Sequence, residues 1–437
     1  MKPIELLSPA GTGKSMQYAF AYGADAVYAG QPRYSLRVRN NDFNRMENLE
    51  AGIAHAHKLG KQFFLASNIA PHNDKVRSYL RDIEPVIAMG PDALIMSDPG
   101  LIMMVRERWP DMPIHLSVQS NAVNYATVKF WQQLGLKRII LSRELSLEEI
   151  AEIRQQCPDI ELEVFVHGSL CIAYSGRCLL SGYMNHRDSN QGACTNACRW
   201  KYSSHEAKEN ESGDIVAVQE PSDKVVLLQE QGRAGEYMPA FEDEHGTYIM
   251  NSKDLRAVQH VIKLAEMGID CVKIEGRTKS HYYVARTAQV YRRAINDAVD
   301  GREFDFSLMN ELEKLASRGY TEGFYNRHPS GEYQNYERGV SRGDYQQFVG
   351  EVIEVNNDLM TIEVKNRFER GDKLELMTPT GNCDFDLEHL ENLDGALCDA
   401  APGSGHVVRI PIPAGMANLN NPEFCLLMRY LPQELTG

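Results

Sequence analysis

Glu161-Leu-Glu-Val-Phe-Val-His167-Gly168 is a short run, apolar from Val164 to Val166, that halts at a histidine and a glycine. Similar runs occur at Ile4–Leu7, Ala26–Gly30, Gln62–Ser67, Ala93–Ser97, Ile114–Gln119, Arg138–Arg143 and Cys271–Gly276. With Leu162–His167 they make eight strand candidates. Amphipathic stretches of helix length lie between them, such as Met46–Leu59, Val76–Met89, Tyr125–Leu134 and Leu147–Gln156. Gly23, Gly60, Gly90 and Gly135 stand where helices should stop, the place glycine takes as a C-cap. Eight strands joined by helical crossovers predict an α/β fold, a (β/α)8 TIM-barrel-like domain over residues 1–300. Periodicity alone leaves a doubly wound open sheet as the alternative.

In a barrel of this kind, chemistry gathers where the strands end. Polar residues collect there: Ser8, Asn68, Ser97-Asp98, Gln119-Ser120, Arg143-Glu144, His167 and Glu275 to Arg277. Past His167 come Cys171, Cys178, Cys194 and Cys198, with six, fifteen and three residues between them. Cys157, Cys271, Cys383, Cys398 and Cys425 are scattered among apolar neighbours, as small core residues are. Ser175-Gly176, Gly182 and Asn190-Gln191-Gly192 let the clustered segment curl around a compact object. Four thiolates suit a [4Fe–4S] cluster or structural zinc. Zinc sites usually take their cysteines as Cys-x-x-Cys pairs, absent from this cluster, so the spacing favours iron–sulfur. A pair of disulfides and four inert buried thiols are the competing readings. The N-terminus lacks the apolar centre of a signal peptide, so a reducing, cytoplasmic setting is expected.

Ser8-Pro-Ala-Gly-Thr-Gly-Lys-Ser15 nearly spells a phosphate-binding loop. Serine stands where the first glycine is needed, and Pro9 removes an amide, so it reads as the first strand-to-helix turn. A net charge of −14 argues against indiscriminate nucleic-acid binding. Arg277, Lys279, Arg286, Arg292 and Arg293 nevertheless fall in a stretch with no acid. On a helix His281–Val299, Tyr282, Arg286 and Arg293 share one side, a pattern that can hold phosphates and stack bases, although a solvated outer helix looks the same. Arg37 and Arg39 after the second strand are further phosphate candidates.

Residues 202–247 are polar and read as an insertion or lid. Ser252 is placed to cap a helix Asp254–Met267, and 301–343 reads as a linker packed on the barrel. From 344 to 437 the pattern changes to alternating strands divided by turns such as Arg370-Gly371-Asp372, predicting a small β-barrel domain.

The block Gly168-Ser-Leu-Cys171, Cys178-Leu-Leu-Ser181-Gly182, Tyr183-Met-Asn, Arg187-Asp188, Asn190-Gln-Gly192 and Cys194-Thr-Asn-Ala-Cys198-Arg-Trp resembles the signature of peptidase family U32, the collagenase-like family. Asn251-Ser-Lys-Asp-Leu255 and Val272-Lys-Ile-Glu-Gly-Arg277 extend the likeness over essentially the whole chain. It is most similar to the branch that makes 5-hydroxyuridine at the tRNA wobble position with prephenate. The resemblance implies a tRNA uridine 5-hydroxylase with tRNA and prephenate as partners and no membrane. Two carboxylates on that co-substrate call for guanidinium forks, with Arg143, Arg177 and Arg277 the candidates. His167 and Glu275 are placed to move protons. The alternatives are a U32 collagenase-like peptidase, or an iron–sulfur hydroxylase of rRNA or a quinone precursor. The chain has neither a His-Glu-x-x-His zinc motif nor a Gly-x-Ser-x-Gly elbow, leaving Cys171 with His167 as the peptidase candidate.

Overall fold

The computed structural model describes residues 3–432 except 37–40, 172, 182–185, 196–206, 210–214, 218–225, 229–237, 244–245, 249–252, 277–278, 318, 327–344, 357, 418 and 420. Eight parallel strands run in order: β1 (Glu5–Pro9), β2 (Ala26–Gly30), β3 (Gln62–Ser67), β4 (Ala93–Met96), β5 (Ile114–Leu116), β6 (Arg138–Ile140), β7 (Glu161–Ser169) and β8 (Cys271–Ile274). Each pairs with the next, and β8 pairs with both β7 and β1, which closes the barrel. The open-sheet alternative is thereby excluded. Strands such as β2 and β4 are buried along their whole length, as parallel strands covered on both faces must be.

Helices α1 (Gly13–Ala21), α2 (Met46–Lys58), α3 (Asn73–Ala88), α4 (Pro99–Arg108), α5 (Tyr125–Gln133) and α6 (Leu147–Gln156) connect the first seven strands. Their starts are chemically marked. Thr12 caps α1, Asp98 caps α4 and Asn124 caps α5, while Ser146 and Glu149 form a reciprocal capping box on α6. The near-phosphate-loop is the β1–α1 turn, and Lys14 is engaged with Glu351 at 2.6 Å.

The helix expected over Asp254–Met267 forms only in part. Asp254–Arg256 is a strand lying antiparallel to the end of β7, with Arg256 opposite His167 and Asp254 opposite Ser169. Only Val261–Met267 is α-helical, as α7, entered through a 3-10 turn at Val258–His260. The extended end of β7 offers unpaired backbone groups, and satisfying them outweighs local helix preference. Ser252 lies outside the described residues. The described strands between 207 and 248 pair only with one another among the described residues. After β8 come α8 (His281–Val299) and α9 (Ser307–Glu313).

The second unit is an antiparallel sheet of β9 (Gln346–Asn356), β10 (Leu359–Val364), β11 (Lys373–Thr378), β12 (Gly381–Asp386), β13 (Val407–Pro411) and β14 (Leu426–Tyr430). Five of those strands share one apolar core that includes Val349, Ile362, Leu376, Ile410 and Leu427, with Phe385 of β12 packed against it. Met377, Leu426 and Met428 belong instead to the barrel's core, so the two units meet through apolar surface. At that seam Arg286 is fully buried, its Nη2 2.5 Å from Glu375, with Glu311 as a further partner.

Candidate functional site

The segment after β7 is strapped across the barrel's open end at three places. Arg143, just beyond β6, donates from Nη1 to the Ser169 carbonyl and from Nη2 to Ser175 Oγ, both at 2.9 Å. Asn121, beyond β5, donates to the Ser175 carbonyl at 2.9 Å. Beyond β3, Ala70 donates its amide to the Asn190 carbonyl at 3.0 Å, and its carbonyl accepts from Gln191. Lys75 at the start of α3 donates to Gln191 Oε1 at 2.9 Å. Two glycines make this approach possible. Gly168 (φ +108°) lies so close to Glu275 that a Cβ would overlap its carbonyl, and at Gly176 (φ +72°) a Cβ would strike Gln119.

The strap carries the clustered cysteines. Cys171 is exposed, Cys178 and Cys194 are half-buried, and Cys171 and Cys178 are free thiols. The disulfide reading therefore fails for Cys171 and Cys178. Ser189 Oγ holds the Cys178 carbonyl at 2.6 Å, and Ser181 accepts from the Thr195 amide at 3.0 Å, fixing the backbone beside Cys178 and Cys194. Cys198 lies outside the described residues. Among the described residues no three His, Cys, Asp or Glu side chains converge on one metal position. In kind the donors fit a soft metal centre: cysteine thiols on one pinned segment.

The other candidates fall in several places. Arg143 is part-buried with its guanidinium 4.9 Å from the Phe165 ring centre, and both its hydrogen bonds go to neutral oxygens. Among the described residues no carboxylate offsets its charge. Arg177 is an exposed residue of the strap. Glu275 sits one residue past β8, half-buried, its amide donating to the His167 carbonyl at 2.8 Å. Arg277, Arg37 and Arg39 lie outside the described residues.

His167 departs from its expected role. The strand pairing with Asp254–Arg256 covers it, and its ring sits 5.5 to 5.8 Å from Tyr283, Tyr291 and Tyr320. Burial pushes its pKa down to about 3, Asp254 opposing and Lys279 and Arg256 assisting. Enclosed by tyrosines and held neutral by burial, this imidazole is screened from a substrate at the mouth. Nor is it hydrogen-bonded to Cys171 among the described residues, so the Cys–His pair of the peptidase alternative is not assembled; its ring nitrogen faces Tyr291 Oη at 3.4 Å.

The RNA face expected on α8 also needs correction. Arg286 is buried against Glu375 rather than displayed, because the second unit packs over it. Tyr282 and Tyr291 are buried as well. Arg293 is exposed but paired with Asp305 at 3.1 Å, and about 18 Å of helix separates it from the start of α8 beside the mouth. Lys279, half-buried at the mouth, lies 4.9 Å from the Tyr283 ring centre.

Sequence patterning did not reveal the charges inside the barrel. Arg138 of β6 bonds Glu5 of β1 at 2.6 Å, and Lys273 of β8 stands 4.3 Å from the Tyr28 ring centre of β2. Neither pair of strands is adjacent, so both contacts cross the interior. Glu163 joins them, 2.8 Å from Lys273 and 3.4 Å from Arg138. Glu5 and Arg138 are the first residues of their strands, so their bond lies at the floor, the end opposite the strap. The only signal was a charged residue inside otherwise apolar strands.

The chain belongs to a known family: the model of peptidase family U32 matches residues 11–335, and the model of its C-terminal domain matches 344–420. Two similar relatives carry the name tRNA hydroxylation protein P. One, from Escherichia coli (strain K12), is 63% identical over 99% of this chain and 98% of its own length. Another, from Haemophilus influenzae, is 60% identical over 98% and 96%. The 23S rRNA 5-hydroxycytidine C2501 synthase of Escherichia coli is 30% identical over 86% of this chain and 52% of its own length.

Proposed function

We propose that the protein hydroxylates tRNA, adding the oxygen at C5 of the wobble uridine with prephenate as co-substrate. The observation that carries this reading is likeness along almost the entire chain to relatives named for tRNA hydroxylation. The site supports it. A pinned segment carrying Cys171, Cys178 and Cys194 lies across the open end of a barrel, where this architecture keeps its chemistry. Cys171, Cys178, Cys194 and Cys198 would hold a [4Fe–4S] cluster. When bound, that group would supply electron transfer or brace the strap. Arg143, with no described carboxylate to offset it, and Arg177 suit a dicarboxylate, as does Arg277 by its place after β8. Glu275 stands beside the mouth as the remaining proton-transfer candidate.

Mass spectrometry of nucleosides from a deletion strain tests the reading. Loss of 5-hydroxyuridine derivatives, restored by the wild-type gene and not by Cys194→Ala, is the expected result. Unchanged modification after deletion rejects it. The 30% identity to an rRNA hydroxycytidine synthase favours a second reading, a pyrimidine of rRNA as substrate, and the same digest of rRNA separates the two. Protein purified without oxygen should be brown and bleach in air; colourless protein with stoichiometric zinc excludes the cluster.

A further inference from the structure

Exposed arginines over much of this acidic surface are spent on nearby carboxylates. Arg33 and Arg81 both reach Asp82, Arg293 reaches Asp305 and Arg367 reaches Glu369. Four exposed arginines differ. Among the described residues, the guanidiniums of Arg45, Arg77, Arg177 and Arg187 have neither a hydrogen bond nor an ion pair. All four lie at the same end of the barrel. Arg45 directly precedes α2 and Arg77 stands early in α3, and helices that follow strands begin at the mouth. Arg177 and Arg187 are on the strap, which Lys75 ties to the start of α3 through Gln191. These guanidiniums, uncommitted among the described residues, therefore share one rim. In a chain of net charge −14, this is a surface where a polyanion can be met without first breaking an ion pair among the described residues.

The strap adds a second feature. Tyr174 is 50% exposed, three residues before Arg177 and between Cys171 and Cys178. An exposed ring beside an exposed guanidinium is the pairing that stacks an unpaired base and holds its phosphate. A double helix hides its base faces, whereas a loop presents them.

We infer that this rim is the docking surface for an unpaired RNA loop, with Arg45, Arg77, Arg177 and Arg187 on the phosphates and Tyr174 stacked on a base next to the reacting one. The inference rests on the tRNA reading above and assigns that site its entrance. Arg177 thereby changes role, from a co-substrate fork to an RNA contact.

The test is binding of unmodified tRNA to the full-length protein, followed by fluorescence anisotropy at several salt concentrations. Arg77→Gln, Arg177→Gln and Arg187→Gln should each weaken binding several-fold. The triple variant should flatten the dependence of log affinity on log salt by about 2, since each contact to single-stranded phosphate contributes about 0.7. Tyr174→Ala should lose about tenfold with an unchanged salt slope, and Tyr174→Phe should bind as wild type. Arg293→Gln and Arg370→Gln, off the rim, should have no effect. Wild-type affinity and slope in the triple variant, with wild type itself binding, overturns this surface and leaves the tRNA reading standing. Failure of wild type to bind any tRNA overturns both. Circular dichroism of each variant separates loss of contact from loss of fold.

Discussion

Arg143 holds Ser175: a guanidinium at the end of β6 reaches 2.9 Å to a hydroxyl in the middle of the strap, while its other arm holds the Ser169 carbonyl where the strap begins. One side chain thus fixes both ends of the turn containing Cys171. Arg143→Ala should free that turn. Alkylation of Cys171 and Cys178 in metal-free protein should speed up several-fold, and global stability should fall by about 1–3 kcal/mol, the usual worth of hydrogen bonds to a charged group. Arg143→Lys, which lacks the fork, should resemble alanine. Unchanged alkylation rates would show that the strap is held by its other anchors alone.

Gly168→Ala tests the close approach at the head of the strap. The backbone there is left-handed, and the added methyl overlaps the Glu275 carbonyl, which also accepts from Tyr283 Oη at 2.8 Å. Strain of about 1–3 kcal/mol from conformation alone is expected, with the overlap in addition. Urea midpoints should fall accordingly. Gly301→Ala, at a left-handed position where nothing lies within 4 Å of the new methyl, should lose only the conformational part.

Glu375→Ala should be among the most damaging single changes at the seam. Among the described residues it leaves the buried Arg286 with Glu311 alone and takes a partner from Lys314, 3.2 Å away, so about 3 kcal/mol is expected. Replacing both partners by apolar residues, Arg286→Met with Glu375→Leu, should cost far less, because no unpaired charge remains. Equal losses in the single and double variants would contradict that account.

Acid should act in two stages. Burial lowers the pKa of His167 to about 3 and that of His115 well below the ordinary histidine value. Both are neutral when folded, so their contribution is complete above about pH 6.5 and declines as the pH falls below that value. The slope should be about 1.4 kcal/mol per pH unit for each. Burial by itself would raise Glu351 and Glu375. Hydrogen bonds from His281 and Lys14 outweigh it for Glu351, and the Arg286 charge and hydrogen bond do so for Glu375, holding both at about 2. Their contribution is present above about pH 4.5 and is lost from there down toward 2. Chemical denaturation between pH 7 and 3 should show the histidine slope first. A flat stability between pH 6.5 and 5 would rule out the neutral, buried histidines.

Strand and helix positions were legible wherever a local signal and the tertiary fold agreed. β2 and β3 match their predicted bounds, and Gly23, Gly60, Gly90 and Gly135 all take the left-handed conformation expected after a helix. Leu147–Gln156 is bounded as predicted because Ser146 and Glu149 cap it reciprocally. Asp254–Arg256 was not legible, since its partner is the far end of β7 and no local pattern records that pairing. Arg286 looked like surface for the same reason: helical spacing shows which residues share a face, not what covers that face. The position of the cysteines at the barrel mouth was readable from the strand that precedes them. The anchors Ser175, Asn121 and Gln191 were not, being ordinary polar residues until the strand ends converge.

Those anchors impose an order of assembly. The strap has nothing to grip until the ends of β3, β5 and β6 have come together, so barrel closure would precede any loading of its thiols with the proposed cluster. Where a small zinc finger unfolds without its ion, this chain, on the cluster proposal, should emerge as a finished receptacle awaiting delivery. Stripping with a chelator should then be reversible, leaving a native scaffold ready to be charged again.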